Sequence, residues 1–570
     1  MAKPLLHESD GLLNPNSNMD RFVGNDSKES TKKMDDWKVT LISGSCACTA
    51  VFVVNLCFTI WSSVSLKDIE DSTGTSRRIM YEGSCSTTRN MSLVIHLIIN
   101  VFGSVLLSAS NYGMQCLSTP TRADVDRAHA KGKWVDIGIP SFRNLWKVSL
   151  WRAVLWWLLV LSSVPLHLLL NSVVYSSLSA YSYETFIFDR NLNLVETNNG
   201  LRCRLNFDIS LASIVLVVNL VKAIVLAFIV IRPPKEPLFV LGDAIQSFMT
   251  RPDENPRGSC LASARTVRNG LLDKPYLVHT APKRRGVAVT YTRWFFSLVM
   301  YGVAFGVSCW LLAYGINHIN GPTDFKSLWG LGFGTANQLT LIQGDTGFAN
   351  KLQEETQNIF LKVLVSNLPQ LIFSILYFQY NSLYTSMAAA KEWSDFGHKR
   401  RPLRVSSSPR GQQRSRYFLQ LPYRYSIPLM LVSILVHWLL SQCIFIVIVE
   451  EYKKVATEFK FRGTTSTCGY SPIAIICVVI TSGLMAAAVI ITALRRLPTG
   501  MPVAASCSLA IAAACRQPDG ALHSEEASIL PLQWGVMTIE KEWSAGEIIK
   551  HHCGFSHEPV RKPECGRIYW

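Results

Sequence analysis

The sequence predicts an all-α membrane protein, a polytopic transmembrane helical bundle of about eight spans. Three observations predict this fold class. The 570 residues are 49% hydrophobic and only 17% charged, a composition typical of membrane proteins. Apolar runs long enough to cross about 30 Å of hydrocarbon recur along the chain. The basic residues also concentrate in alternate connecting segments, as topology requires.

Each apolar run is continuous, which favours helices over the alternating strands of a barrel, and helices satisfy their own backbone hydrogen bonds in lipid. The first run begins after a polar stretch and is too long for the apolar core of a cleavable signal peptide, so we expect an uncleaved signal anchor. The eight runs cover residues 39–64, 91–114, 149–174, 209–231, 294–317, 359–384, 426–449 and 472–494.

The formal net charge of +16 raises the question of a nucleic-acid partner. Of the 56 Lys and Arg residues, 40 lie before the first span and after the second, fourth, sixth and eighth, whereas 13 lie in the other connecting segments. This positive-inside bias predicts an N-in/C-in topology with both termini in the cytosol. A nucleic-acid-binding protein would need a basic soluble domain with readout elements, and the sequence has none.

The cytosolic segments differ in character. The tail 1–37 is polar and predicted to be disordered. After the second span we expect a short interfacial helix around 122–131, and the Ser-rich basic loop around 398–416 is predicted to be mobile. Two interpretations of the basic loops stay open: they attract anionic inner-leaflet lipids or cytosolic proteins, or they only set the topology. The apolar stretch "MPVAASCSLAIAAAC" is too short to span, so it predicts a docked or interfacial helix.

Two spans contain the same polar spacing, His96-x-x-x-Asn100 and His167-x-x-x-Asn171. Residues four apart share a helix face, and we expect both histidines near the outer leaflet, where they could meet. Hydrogen bonds that fix helix packing, a ligand or proton-relay site, and a bis-histidine haem or metal site all fit this pattern. Because only His437 adds another imidazole within a span, we predict no metal and no cofactor.

Lys222 is the one cation well inside a span, and no Asp or Glu lies inside any of the eight. Burying it unpaired costs about 3 kcal/mol on insertion scales. It therefore either extends toward the cytosol or faces a polar cavity. In the sixth span, Asn367, Pro369 and Gln370 predict a kink, which serves either a cavity lined by freed carbonyls or helix packing alone.

The stretch "ASNYGMQCLSTPTRADVDRAHAKGKWVDIGIPSFRNL" and its flanks resemble fungal multi-pass membrane proteins that carry the domain of unknown function 6536. The later blocks "SLAIAAACRQP" and "HHCGFSHEPVRKPECGRIYW" look like the C-terminal parts of the same proteins. The resemblance implies a polytopic membrane protein and no particular activity. With it, we divide the chain into the cytosolic tail 1–37, a signature membrane domain 38–190 with spans one to three, the remaining bundle 191–494, and the cytosolic extension 495–570.

Three of the fifteen cysteines lie in predicted outer segments, on the side that permits oxidation. Cys85 and Cys203 each precede a span in the part of the chain that carries the resemblance. We predict a disulfide between these two residues, with Cys468 as the alternative partner of either.

We find no nucleophile–base–orienter set, dinucleotide-binding or P-loop signature, or pair of catalytic carboxylates, so we expect no enzyme. The leading hypothesis is a membrane protein for organisation, sensing or signalling, in the plasma membrane or alternatively an endosomal or vacuolar membrane, with the lipid bilayer as its partner. The alternative is a transporter or channel for a small solute. Its polar interior would comprise His96, Asn100, His167, Asn171, Lys222 and Asn367.

Overall fold

The computed structural model describes residues 34–69, 77–182, 202–256, 259–270, 276–277, 281–319, 321–335, 338–342, 359–416, 421–455, 458–516, 525–537 and 552–569. Most of the predicted tail 1–37 lies outside these residues. The helices are α1 Asp36–Ser65, α2 Cys85–Ser118, α3 Arg122–His129, α4 Phe142–Leu145, α5 Leu150–Leu169, α6 Ile209–Ile231, α7 Leu241–Thr250, α8 Ala264–Arg268, α9 Tyr291–Asn317, α10 Phe325–Gly330, α11 Ile359–Phe396, α12 Tyr423–Cys443, α13 Pro472–Leu494, α14 Ser508–Cys515 and α15 Glu525–Ile529.

Eight of these helices are long and apolar enough to cross a membrane, namely α1, α2, α5, α6, α9, α11, α12 and α13. Each corresponds to one of the predicted spans, so the expectation of eight is confirmed at the level of helix length and composition. Two of the starts show familiar helix-initiating chemistry: the Asp208 side chain accepts the Leu211 N–H at 3.0 Å at the start of α6, and Pro472 occupies the first turn of α13.

The all-α expectation is wrong for one end of the bundle, where six strands form a mixed sheet in the order β1-β2-β4-β3-β8-β9. Strands β3 and β8 pair in parallel, and the other neighbours pair antiparallel. We call this end the sheet side. The strands are β1 Lys67–Ile69, β2 Arg77–Gly83, β3 Val174–Ser182, β4 Arg202–Asp208, β5 Tyr276–Leu277, β6 Arg404–Val405, β7 Arg414–Ser415, β8 Ile444–Val455, β9 Glu458–Tyr470, β10 Gln533–Met537, β11 His552–Ser556 and β12 Ile568–Tyr569.

The sheet also corrects the seventh span, which the sequence extended to residue 449. Helix α12 ends at Cys443, and the next residues "IFIVIV" begin β8. A short β-branched run is equally compatible with a helix end or a strand by hydrophobicity alone, and here pairing with β3 and β9 decides for the strand.

At the opposite end, the long connections fold together into one buried core, which we call the loop-side domain. Its core takes buried side chains from α3, α7, α8, the end of α11, residues 497–515, β10 and β11. All eight residues of α14 are buried in it. The helix predicted around 122–131 exists as α3, and it contributes Val125 and Ala128 to this core.

The basic loop around 398–416, predicted to be mobile, is part of the same domain. Its strands β6 and β7 pair with each other. Ser406 is buried, and its N–H donates to Asp243 Oδ1 on α7 at 2.7 Å. The loop is held because its backbone groups also find partners on α1 and near residue 532, with the Trp37 N–H donating to the Ser406 carbonyl and the Arg401 N–H to the Leu532 carbonyl, which composition could not reveal.

The outer surfaces of the spanning helices carry apolar side chains. In α9, for example, Val303 is 61% and Trp310 is 60% exposed, and none of the most apolar stretch of this helix is buried within the chain. Such a surface needs lipid around it. The chain is therefore an integral membrane protein in contact with the bilayer.

Candidate functional site: the polar interior of the bundle

Lys222 lies at the centre of the candidate site, on the face of α6 that packs against α2 and α5. Its side chain is fully buried. The ammonium donates to Ser110 Oγ and to Ser163 Oγ, each at 2.7 Å. Among the described residues, Lys222 forms no ion pair with a carboxylate. The prediction that it could extend toward the cytosol is wrong, and the alternative of a polar surrounding applies.

A cavity adjoins Lys222 on the side nearer the sheet. The volume of this cavity that is open to the centres of water molecules is about 20 Å³, enough for one or two waters. The cavity lies between five spans, α2, α5, α6, α11 and α12, and its wall combines polar side chains with leucines. The polar and ionisable residues that line it are Asn100, Ser104, Ser163, His167, Asn171, Lys222, Gln370 and His437.

The two histidines predicted to meet do not do so. His167 stacks instead on His437 of α12, with ring centroids 5.4 Å apart and an angle of 11° between the rings. The hydroxyl of Ser374 on α11 lies 3.2 Å from His167 Nε2 and 3.5 Å from His437 Nε2. Three helices therefore meet at this imidazole pair.

The reason is the register of two antiparallel helices. Asn100 and Asn171 lie opposite each other, with Asn100 Nδ2 donating to Asn171 Oδ1 at 2.9 Å. Each histidine precedes its asparagine by four residues, so the two lie on opposite sides of this pair, about 12 Å apart along the axis. The repeated spacing could align either the two histidines or the two asparagines, and in the structure the asparagines are the pair in contact.

A second cavity continues from Asn171 toward the sheet. Its volume, measured in the same way, is about 30 Å³. His96 and Asn367, two more of the predicted residues, line it. The Nδ1 atom of His96 is buried and has no hydrogen-bond partner among the described residues. The two cavities share Asn171 as a lining residue. Together they are lined by all six of the predicted interior residues.

On the loop side of Lys222 the interior is closed by a layer of apolar contacts. A Cβ placed on Gly113 would lie 2.6 Å from Leu226 Cδ2 and 3.1 Å from Leu159 Cδ1, so the leucines fill the space that glycine leaves. Leu159 and Leu226 are both at most 1% exposed. Each is one turn from Ser163 or Lys222 on its own helix. We call this layer the leucine plug.

Two models of sequence families match the chain, and together they include most of its spanning helices. The model of the Domain of unknown function (DUF8419) matches residues 272–569, more than half of the chain. The chain belongs to this family. The model of the Family of unknown function (DUF6536) matches residues 37–177, which confirms the resemblance noted in the sequence. No curated protein and no solved structure matches the chain.

The polar interior is built at the junction of the DUF6536 and DUF8419 segments. Asn171, in the first, donates through Nδ2 to Gln370 Oε1, in the second, at 2.6 Å. Asn367 Nδ2 similarly donates to Ser172 Oγ at 2.6 Å. Lys222 belongs to neither match, because it lies between them. Amide side chains thus connect the two segments. These hydrogen bonds matter because an amide left unpaired in a bundle interior is costly in free energy.

Sequence reasoning missed the serines of this site, among them Ser110, Ser163 and Ser374, and it did not identify His437 as a partner of His167. Serine within a span usually bonds to its own helix, and Ser110 and Ser163 do so too, at 2.8 Å to the carbonyls of Leu106 and Leu159. Nothing in the sequence distinguishes them from other serines in spans. Only the packing of α2, α5 and α6 brings them to the same ammonium.

On the sheet side, the predicted disulfide between Cys85 and Cys203 is present. It joins the first residue of α2 to β4, the strand that leads into α6. Cys468, the alternative partner, carries a free thiol. The bridge thereby ties the sheet to two of the helices that surround Lys222.

The loop-side domain contains a polar cluster that the sequence analysis did not anticipate, which we call the polar clasp. His129 Nδ1 forms a short hydrogen bond with Asp253, and its Nε2 lies 2.7 Å from Ser508 Oγ. The expectation of no nucleophile–base–orienter set is therefore wrong as geometry, because this is the order of a catalytic triad. The partners are 124 and 379 residues from His129, so no local motif signals them.

The surroundings of the polar clasp indicate a structural role. His129 and Ser508 are at most 1% exposed, and Ser508 Oγ also accepts the Val135 N–H at 3.0 Å. Burial raises the pKa of Asp253, but hydrogen bonds from His129 and Asn255 outweigh it and bring this pKa to about 2. The clasp joins α3, α14 and the segment after α7 inside the buried core, with its polar atoms bonded to one another and to the backbone.

Proposed function

We propose that the spanning helices bind a small hydrogen-bonding solute in the polar interior and pass it across the membrane, as a transporter or channel. The observation that carries this proposal is the complete burial of Lys222, whose ammonium has only the hydroxyls of Ser110 and Ser163 as hydrogen-bond partners among the described residues. Ionisable groups inside membranes are costly, and where they occur they commonly mark substrate, ion or proton pathways.

The chemistry of the site favours a solute with acceptor oxygens or negative charge. An ammonium has three donors, and two of those of Lys222 go to Ser110 and Ser163. The third can serve a solute in the adjoining cavity. The imidazole pair His167–His437 and the amides of Asn100 and Gln370 offer further donors and acceptors along the same wall.

The leucine plug supports alternating access to this interior. The cavities extend from Lys222 toward the sheet side, while Leu159 and Leu226 close the loop side. Passage of a solute would require these two leucines to separate, which movement of α5 against α6 can provide. Small cavities and one closed end fit a closed state of such a path.

A second candidate function, sensing or signalling, has its own support in the loop-side domain. That domain gathers segments from between and after the spans into one core, and α5 reaches it through Arg152, whose guanidinium contacts Asp124 at 3.2 Å. Binding near Lys222 could then alter a surface that other proteins contact. Neither function assigns the chain a catalytic step.

We further propose that the loop side faces the cytosol, with both termini there, because that side carries 40 of the 56 basic residues. The plasma membrane is the location we favour, with an endosomal or vacuolar membrane as the alternative.

The transport proposal is tested with the full chain reconstituted in liposomes. Chloride influx is followed with entrapped lucigenin, and proton or acetic acid flux with entrapped pyranine. We expect flux of at least one of these probes, and Lys222→Met should reduce it at least tenfold. Lys362→Met is the matched control, because it removes another lysine of a span, one that donates among the described residues to the Ser466 carbonyl at 2.6 Å and to Ser466 Oγ at 3.0 Å.

Equal flux through wild type and Lys222→Met would contradict the role of Lys222. No flux of any of the probes above that of empty liposomes would contradict the proposal for small anions and protons and favour sensing.

A further inference from the structure

Two segments about 210 residues apart place five cations side by side at the loop side of the membrane. Lys283, Arg284 and Arg285 run antiparallel to Arg495 and Arg496, and Arg284 pairs with Arg496 in an isolated bridge. The Arg285 N–H donates to the Arg495 carbonyl at 2.9 Å, and the Leu497 N–H donates to the Lys283 carbonyl at 2.8 Å. We call these five residues the arginine bridge.

The pairing brings like charges together. Residues directly opposite in an antiparallel pair point to the same face, with Cβ atoms about 4.5–5.5 Å apart. Arg284 and Arg496 are in this relation, and both are exposed. Like charges in such a position destabilise the pairing. The backbone geometry therefore holds two guanidinium groups where an anion between them would be stabilising.

The described residues provide no such anion. None of the five cations forms an ion pair with a described carboxylate, and the buried Nε of Arg285 has no hydrogen-bond partner among them. Other arginines of the loop-side domain differ: Arg401 lies 2.6 Å from Asp395, and Arg404 lies 3.3 Å from Glu392. Positive charge that only sets topology would not need this concentration.

The arginine bridge lies at the loop-side ends of two spanning helices. It joins the end of α13 to the turn before α9, and the apolar side chains beside it are exposed: Val287 by 56%, Tyr291 by 85% and Leu494 by 52%. Trp294 donates from Nε1 to the Gly286 carbonyl at 3.0 Å, as indoles at the membrane interface often do.

We propose that the arginine bridge binds the phosphate of an anionic phospholipid headgroup, with the acyl chains along Val287, Tyr291 and Leu494. Guanidinium groups suit this ligand because they bind phosphate oxygens in a bidentate manner. The neighbouring apolar surface distinguishes a lipid from a free phosphate ion. This site is separate from the polar interior, and it does not depend on the transport proposal.

The test uses the purified full chain in detergent, titrated with dioctanoyl phosphatidylinositol 4-phosphate, dioctanoyl phosphatidylserine, dioctanoyl phosphatidylcholine and inorganic phosphate. Binding is read by native mass spectrometry and by the shift in thermal midpoint. We expect the two anionic lipids to bind and phosphatidylcholine not to bind. The double variant Arg284→Gln/Arg496→Gln should weaken binding of the anionic lipids about 10- to 30-fold, as loss of two cations near a charged surface predicts.

The control is Lys399→Gln/Arg400→Gln, which makes the same change in charge at two exposed residues beyond the end of α11. It should bind the lipids like wild type, and the lipid-free thermal midpoints of both variants report whether they fold. Equal weakening in both double variants would overturn the proposal in favour of diffuse attraction. Equal binding of phosphatidylcholine, or binding of inorganic phosphate as tight as that of the anionic lipids, would also overturn it.

Discussion

Arg152 and Lys222 are both buried cations of neighbouring spanning helices, and they are partnered in opposite ways. Arg152, 3% exposed, lies near the loop-side end of α5, and its guanidinium contacts the Asp124 carboxylate at 3.2 Å and the backbone carbonyls of Thr119 and Cys116. Lys222 has two hydroxyls instead of a carboxylate, and it faces a cavity.

The difference separates a structural cation from a functional candidate. A buried charge with a carboxylate and carbonyls is neutralised inside the protein, so removing it leaves its partners unpaired. A buried ammonium with neutral partners and free space beside it keeps part of its hydrogen-bonding capacity for something else. The same contrast divides the two ends of the molecule, because the polar clasp on the loop side is paired like Arg152, whereas His96 borders a cavity like Lys222.

Arg152→Met should cause the largest loss of stability. The substitution keeps a similar volume but leaves Asp124 and two carbonyls short of a partner, at a cost of about 3 kcal/mol. The measurement is the thermal midpoint of the purified protein together with its monodispersity in size-exclusion chromatography. Leu158→Met, on the lipid-facing side of the same helix, serves as the control. If Arg152→Met proved as stable as this control, the pairing of Arg152 with Asp124 would not stabilise the fold.

His129→Ala should have an intermediate effect, since it removes the centre of the polar clasp and leaves Asp253 and Ser508 buried without their shared partner, at about 2 kcal/mol. His398→Ala, at an exposed loop-side residue, is the control in the same thermal assay.

The pH dependence sharpens this prediction. The pKa of Asp253 in the folded chain, about 2, lies below the ordinary value of about 3.9. Its stabilising contribution is therefore fully present above about pH 4 and is lost as the pH falls toward 2. Asp253→Asn should remove this part of the acid dependence. An unchanged acid profile in that variant would show that the clasp does not hold the carboxylate in its charged form.

Lys222→Met should have the smallest effect on stability, about 1 kcal/mol or less in either direction. Among the described residues Lys222 has no carboxylate partner, so an apolar side chain of similar length removes a desolvation cost along with two hydrogen bonds. The thermal midpoint should stay near that of wild type while the flux described above is lost. A loss of stability as large as that of Arg152→Met would show that Lys222 has a structural role like that of Arg152.

Part of the site could be anticipated from residue type and depth. Lys222, His96 and the two asparagines stand out because ionisable and amide groups are rare in spans, and all of them line the interior. What could not be anticipated is which of them meet. The pairing of Asn100 with Asn171, and of His167 with His437, depends on the stagger and rotation of helices, which differ by several ångströms between arrangements that hydropathy treats as equal.

By itself, the sequence determined the eight spanning helices and the excess of cations in alternate connecting segments, because these follow from run length and local charge. It favoured the cysteine pair Cys85–Cys203 but left Cys468 as an alternative partner, which the structure excluded. Only the tertiary structure decided the six-stranded sheet, the loop-side domain with its clasp, the partners of Lys222 and the arginine bridge. Each of these joins residues from distant parts of the chain, and the free energy of such a contact depends on neighbours that no local stretch of sequence specifies.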